Sequence, residues 1–193
     1  QLKFLLPALF IILVLAISHS AATAQIVPDF RVNEDPTNEF QGQGSMGCDS
    51  SGNFVVAWRD SRGPRTDIYC QRFDSNANRL GNNFKVNINP DSSMLPGVAV
   101  ASDGSFGVCW IEALDPDVKA KLMLFNNSSV PITSEIVLNE VSIWPTSLNL
   151  PSITVNKYKQ YTITWQHDRG IMFQKVDSNG NRIGQNVRII TDT

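Results

Sequence analysis

Residues 52–60 read GNFVVAWRD, and this stretch decides the fold. Aromatic or aliphatic side chains stand at every second position, at Phe54, Val56 and Trp58. A period of two is typical of a β-strand, because successive side chains of a strand point to opposite faces. The residues between them are also apolar, so we expect both faces of this strand to be covered by neighbouring structure.

The same strand recurs twice further along the chain. Trp58, Trp110 and Trp165 follow one another at spacings of 52 and 55 residues, each with an aromatic residue four positions earlier. A second shared stretch lies downstream, DSNANRLG at 74–81 and DSNGNRIG at 177–184. Each unit therefore contains four short strands, a to d, with the tryptophan in b. Four-stranded units of roughly 50 residues are typical of β-propeller blades.

The sequence thus predicts an all-β fold of four-stranded antiparallel blades, at about 45–90, 94–140 and 148–193. The tryptophans are expected to pack between blades. Residues 30–33 (FRVN) match residues 84–87 (FKVN), the last strand of a blade. They are therefore expected to form a closing strand d whose own a–c strands are absent. Because a closed propeller usually has more than three blades, we expect a fragment of a six- to eight-bladed ring that continues past residue 193.

The first 24 residues are predicted to be an export signal. Lys3 precedes an apolar run over residues 4–17, and Ala22-Thr23-Ala24 supplies the small residues of a cleavage site. The run is short for a membrane span. We therefore expect a secreted or cell-surface protein, residues 25–193, with no membrane span in the mature chain. The net charge of −2 argues against nucleic acid as a partner.

Three cysteines, Cys48, Cys70 and Cys109, lie in predicted strands. An odd number cannot pair fully, and we expect all three to be small buried hydrophobic residues. A bridge between Cys48 and Cys70 would join strands that are not adjacent in the predicted sheet.

A resemblance extends the argument over about residues 26–193. The run 52–60, followed by DIYCQRFD at 67–74 and FKVN at 84–87, resembles a repeat of secreted bacterial β-propeller proteins. The resemblance implies an exported or surface-associated protein and specifies no chemistry. The middle repeat departs from the pattern in its b–c loop and in its c–d turn.

The c–d turns present oxygen-bearing side chains at every second position. Calcium loops share this spacing, which makes weak calcium candidates of Asp74, Asn76, Asn78, Asp177, Asn179 and Asn181. However, Arg79 and Arg182 replace the glycine of a calcium loop, and no glutamate follows at position twelve. A tight hairpin explains the same residues, so we expect no cofactor, with calcium as the alternative.

The b–c loops contain the densest charge and are the candidate ligand-binding surface. Loops on a rigid scaffold commonly carry function, although exposed charge clusters are often only solvated edges. The candidates are Arg59, Asp60, Arg62, His167, Asp168, Arg169 and, in a d–a loop, Trp144.

The recurring residues all have packing or turn roles, and no G-x-S-x-G nucleophile motif is present. We therefore expect an exported non-catalytic module that binds or scaffolds a partner, a glycan or a surface protein. The alternative is part of a secreted propeller enzyme of sialidase or glycosidase type, with catalytic residues mostly in missing blades. A purely structural spacer is a third possibility.

Overall fold

The computed structural model describes residues 29–113, 118–139, 151–167 and 170–189. These residues form twelve β-strands in three antiparallel sheets, and no helix occurs among them. Nor does this part of the chain contain a helix long and apolar enough to cross a membrane. The predicted export signal lies outside the described residues.

Each sheet is a meander in which the strands pair in chain order, so that strands a and d form its two edges. The first sheet contains β1 (Gln41–Cys48), β2 (Phe54–Asp60), β3 (Asp67–Phe73) and β4 (Phe84–Lys85). The second contains β5 (Ser92–Val100), β6 (Phe106–Ala113), β7 (Val118–Phe125) and β8 (Ile136–Val137). The third contains β9 (Ser152–Val155), β10 (Tyr161–His167), β11 (Gly170–Val176) and β12 (Arg182–Arg188).

Strands β1 and β5 begin before the blade boundaries expected at residues 45 and 94. Each continues across a bulge, where Gln43 and Leu95 both have a φ of 54°. A bulge adds one residue to one strand and reverses its alternation. The alternation of apolar residues therefore does not continue through the bulge, and it does not predict the first residues of β1 and β5.

The three sheets stack face to face. One apolar cluster joins the first and second sheets and includes Trp110, and another joins the second and third and includes Trp165. Trp110 and Trp165 are 0% and 1% exposed and lie in these clusters, which confirms their predicted packing between blades. Trp58 is also buried, at 5% exposed, but belongs to neither cluster. The predicted fold class is confirmed as well: the described residues form an all-β run of four-stranded propeller blades.

The a–b and c–d hairpins share one turn design. In the turn that begins at Asp74, the N–H of Asp74 donates to the carbonyl of Asn78, and the N–H of Ala77 donates back to the carbonyl of Asp74. The fourth residue has a positive φ, 63° at Ala77 and 88° at Gly180. This is a three-residue hairpin loop closed by a residue in the left-handed region.

Residues 30–33, expected as a closing strand, lie in none of the strands among the described residues. They nevertheless lie on the first sheet as an outer strand would. The Arg79 guanidinium donates to the carbonyl of Arg31 at 2.7 Å. In the third sheet Arg182 donates to the carbonyl of Val137, in the outer strand of the second sheet, at 2.8 Å.

The cysteines do not all behave as expected. Cys70 and Cys109 are buried, but Cys48 is exposed, so its predicted burial is wrong. It is the last residue of an edge strand and has a neighbouring strand on one side only. All three thiols are free. Burial raises the pKa of Cys70 and raises that of Cys109 to about 12.

Candidate functional site at the b–c end

The end of β2 fixes a buried carboxylate beside the b–c loop. Asp60 is fully buried, and its Oδ2 accepts the indole N–H of Trp58 at 2.9 Å. Arg62 donates to the same carboxylate from Nε at 3.0 Å, from Nη2 at 2.6 Å and from its backbone N–H at 3.0 Å. The Trp-x-Asp-x-Arg spacing therefore makes a rigid unit in which every bond is charge-assisted.

Neighbouring residues hold Arg62 in place. Its guanidinium lies 4.0 Å from the centre of the Tyr69 ring, a cation–π contact. On another side it approaches Asp35 at 3.7 Å. Asp35 in turn accepts hydrogen bonds from Thr37 and from the amide of Gln41. The unit thus ties the N-terminal segment, β1 and β3 together at one end of the sheet.

The electrostatics of this unit favour its charged form. Burial by itself raises the pKa of Asp60, but the hydrogen bonds from Arg62 and Trp58 outweigh burial, and the net pKa is lowered. The Asp60 hydrogen bond raises the pKa of Arg62. Asp60 is therefore a poor proton donor near neutral pH, since it stays ionised.

Phe40 presents an accessible aromatic face next to this unit. Its carbonyl accepts the N–H of Ser61 at 3.0 Å, which fixes it beside the b–c loop. The ring lies over Gly42, where an added Cβ would come within 2.9 Å of it. The Arg59 guanidinium sits 5.3 Å from the ring centre. Phe40 remains 56% exposed in spite of these contacts.

The equivalent position in the second sheet, two residues after the tryptophan, is Glu112. It is fully buried and lies 3.3 Å from the Lys121 ammonium, which also pairs with Glu135 at 3.0 Å. Glu135 accepts the backbone N–H groups of Ile88 and Asn89, in the segment that joins β4 to β5. This carboxylate network therefore links the second sheet to the segment that precedes it.

Of the predicted ligand-binding residues, the structure brings Asp60 and Arg62 together, whereas Arg59 contacts Phe40. Asp60, expected on an accessible loop, is instead fully buried. Both of its carboxylate oxygens accept hydrogen bonds, from the Trp58 indole and from Arg62. In the third sheet His167 ends β10 at the equivalent position. Its side chain, and all of Asp168, Arg169 and Trp144, lie outside the described residues.

The calcium candidates lie at the opposite end of the sheets, in the c–d turns. Asp74 Oδ1 accepts the N–H groups of Asn76 and Asn78, and its Oδ2 accepts the Asn78 side-chain amide. Asp177 repeats all three bonds with Asn179 and Asn181. In each turn these bonds hold the aspartate against the backbone of its own hairpin. Across the described ranges, no group of three or more His, Cys, Asp or Glu side chains could hold a metal ion.

Sequence reasoning missed Asp35, Phe40 and Tyr69. A weak signal existed for Tyr69, since it pairs with Trp58 in the register of β2 and β3. Asp35 and Phe40 precede the first strand, and no repeat pattern covers them. Only the folded chain brings them to the b–c loop.

Comparison with known proteins gives similarity of fold alone. No protein-family model and no curated protein matches the chain. A structure from the GH130 family of mannoside phosphorylases, described as containing glycoside hydrolases that target β-1,2-mannosidic linkages, is 10% identical, with a TM-score of 0.46 over 80% of this chain and 53% of its own. A glycosyl hydrolase from Bacteroides ovatus is 12% identical, with a TM-score of 0.44 over 79% and 50%.

A calcium-binding regucalcin from Agrobacterium tumefaciens is 11% identical, with a TM-score of 0.37 over 75% of this chain and 44% of its own. This chain therefore spans about half the length of the solved structures that it resembles. Such similarities assign no activity to it. The described residues form a run of propeller blades, and the b–c loop of the first blade is charged and tied to Asp60 by hydrogen bonds.

Proposed function

We propose that this chain is part of an exported propeller that binds a saccharide at its b–c end. The observation that carries the proposal is the exposed Phe40 ring, held over Gly42 and against Arg59. The apolar face of a sugar ring packs on an aromatic ring, while nearby planar polar groups bond its hydroxyls. Arg59 supplies such donors beside the ring.

The Asp60–Arg62 unit supports this role by making the platform rigid. A binding surface that is already ordered loses less conformational entropy when the ligand arrives. Asp60 itself is enclosed and holds Arg62 in place, so the ligand contacts fall to Phe40 and Arg59.

The test uses a matched pair of exposed aromatic residues. Tyr158 is 69% exposed and also has a cation nearby, Lys157 at 5.0 Å, but it lies in an a–b turn at the opposite end of the sheets. Wild type, Phe40→Ala and Tyr158→Ala are applied to a glycan array, and hits are measured by calorimetry. We expect Phe40→Ala to weaken binding by about tenfold, the upper end of 0.5–1.5 kcal/mol for an aromatic contact.

Tyr158→Ala should bind as wild type does. Equal losses in the two variants, or an array without hits, would count against saccharide binding at this end.

A glycosidase-type enzyme is the second candidate. It is favoured by the unlike ionisable residues at equivalent positions of the three blades, Asp60, Glu112 and His167, since catalysis needs unlike groups where a scaffold repeats like ones. Glycoside hydrolysis is also the activity named for two of the structures of similar fold. Against it, both carboxylates are buried and engaged with cations.

Measuring whether the protein cleaves a bound saccharide distinguishes the two candidate functions. Each array ligand is incubated with the protein, and new reducing ends are measured. Binding without release of reducing ends supports the first candidate. Release that disappears in Glu112→Gln, with the melting temperature preserved, would establish the second instead.

A further inference from the structure

In the first and third sheets, the arginine that follows the c–d turn reaches the backbone that precedes the sheet. Arg79 donates to the carbonyl of Arg31 and lies 5.9 Å from the centre of the Phe73 ring. Arg182 donates in the same way to the carbonyl of Val137. In both places a long cationic side chain bonds the backbone that precedes its own sheet, at Arg31 for the first sheet and in β8 for the third.

The second sheet has Pro131 at this position. The pairings Phe73–Arg79, Phe125–Pro131 and Val176–Arg182 establish the equivalence. Proline has neither a long side chain nor a donor to replace the guanidinium. A groove of about 950 Å³ is open here, between β4 and the c–d turn of the second sheet.

The corresponding turn of the third sheet packs tightly instead. A Cβ added at Gly180 would come within 2.6 Å of Thr133, whereas the equivalent residue of the second sheet, Ser129, lines the groove. The groove therefore exists because the second blade departs from the repeat at Pro131 and in its c–d turn.

The lining of the groove includes two cationic side chains, Arg72 and Lys85, and no carboxylate. Lys85 is paired with Asp67 at 2.8 Å. The Arg72 guanidinium has no side-chain hydrogen bond or ion pair with any described residue. Burial lowers the pKa of Arg72, and an anion would offset this unfavourable desolvation.

The rest of the lining combines apolar surface with short polar side chains. Phe84 and Leu80 supply the apolar surface, and the polar groups are Asn82, Asn127, Ser128 and Ser129. A sugar ring presents one apolar face and several hydroxyls, which matches this mixture. The volume falls within the range of sites for small ligands, about 300–1,000 Å³.

We propose that this groove binds an acidic oligosaccharide, with a uronate carboxylate on Arg72 and a sugar ring against Phe84. An arginine–carboxylate pair is charge-assisted and geometrically specific. The site lies on the outer wall of the sheets, away from the b–c end, and its occupation does not require Phe40.

The experiment is calorimetric titration of the full chain with trigalacturonate and with the neutral galactose trimer. Arg72→Gln should weaken trigalacturonate binding at least tenfold, and binding should fall as salt is raised. Arg65→Gln removes an exposed arginine of the b–c loop and should leave binding unchanged. Equal affinity for the neutral trimer, or undiminished binding by Arg72→Gln, would overturn the proposal.

A second variant tests the geometry. Pro131→Arg restores the arginine of the other two sheets, so it should fill the groove, abolish trigalacturonate binding and raise the melting temperature. Wild-type binding by a folded Pro131→Arg protein would contradict the proposal. Phe40→Ala should retain trigalacturonate binding, which distinguishes failure of this site from failure of saccharide binding at the b–c end.

Discussion

Replacing Trp58 by phenylalanine should destabilise the protein more than the same change at Trp110 or Trp165. The three tryptophans occupy equivalent positions in β2, β6 and β10, and all three are buried. The Trp58 indole N–H donates to Asp60 at 2.9 Å. The indole nitrogens of the other two have no hydrogen-bond partner among the described residues.

The magnitude follows from this difference. All three changes remove the same ring volume, a packing loss of about 1–2 kcal/mol. At Trp58 the change also removes a hydrogen bond to a charged group, worth about 1.5–3 kcal/mol. At the other two sites it removes a buried unsatisfied donor, which offsets part of the packing loss. Trp58→Phe should therefore cost at least about 1.5 kcal/mol more than either control.

Urea denaturation measures the unfolding free energies, and a difference of about 1.5 kcal/mol corresponds to roughly 3–6 °C in melting temperature for a chain of this size. A double-mutant cycle of Trp58→Phe with Asp60→Asn isolates the bond. If Trp58→Phe costs no more than Trp110→Phe, or if the cycle shows no coupling, the reasoning is refuted.

Three further predictions rest on single features. Ala77→Gly should stabilise the protein by about 0.5–1 kcal/mol, because relief of positive-φ strain exceeds the entropy cost of glycine; thermal unfolding measures this. Burial acts to raise the pKa of Asp103, but hydrogen bonds from Lys159 and Ser105 lower it to about 2. The ionised form therefore adds stability above pH about 4 that is lost as pH falls towards 2, and Asp103→Asn should flatten the measured stability profile there. A maleimide should label Cys48 alone in the native protein and should reach Cys70 and Cys109 only after unfolding.

Each of these predictions has its own control. Ala99→Gly, in β5 where φ is not positive, should lower the melting temperature, and a gain there as large as at Ala77 would mean that turn strain is not the cause. An unchanged acid profile in Asp103→Asn would remove the claim for that carboxylate. More than one maleimide per native chain would show that the buried thiols open readily.

The blade architecture was predictable because its signals are local. Alternation around Trp58 specifies a strand from five consecutive residues, and the Asp74 turn is built by bonds that span four positions. The same locality explains the error at Cys48. Its apolar character and strand position gave no information about which edge of the sheet it would occupy.

The candidate site was only partly predictable. The charge of Arg59, Asp60 and Arg62 was evident, but the enclosure of Asp60 depends on contacts with Trp58 and on the packing of Arg62 over Tyr69. The exposed Phe40 carries no repeat signature. Its role emerges only from its place beside the b–c loop.

By itself, then, the sequence determined the repeat, the strands and the hairpin turns, because these follow from spacing and backbone preference within a few residues. Tertiary structure alone decided which charges are buried and where space is left open. The Arg79–Arg31 bond spans 48 positions, and the significance of Pro131 is visible only when three sheets are compared in register. Burial and open volume arise between distant segments that pack together, and no local pattern encodes them.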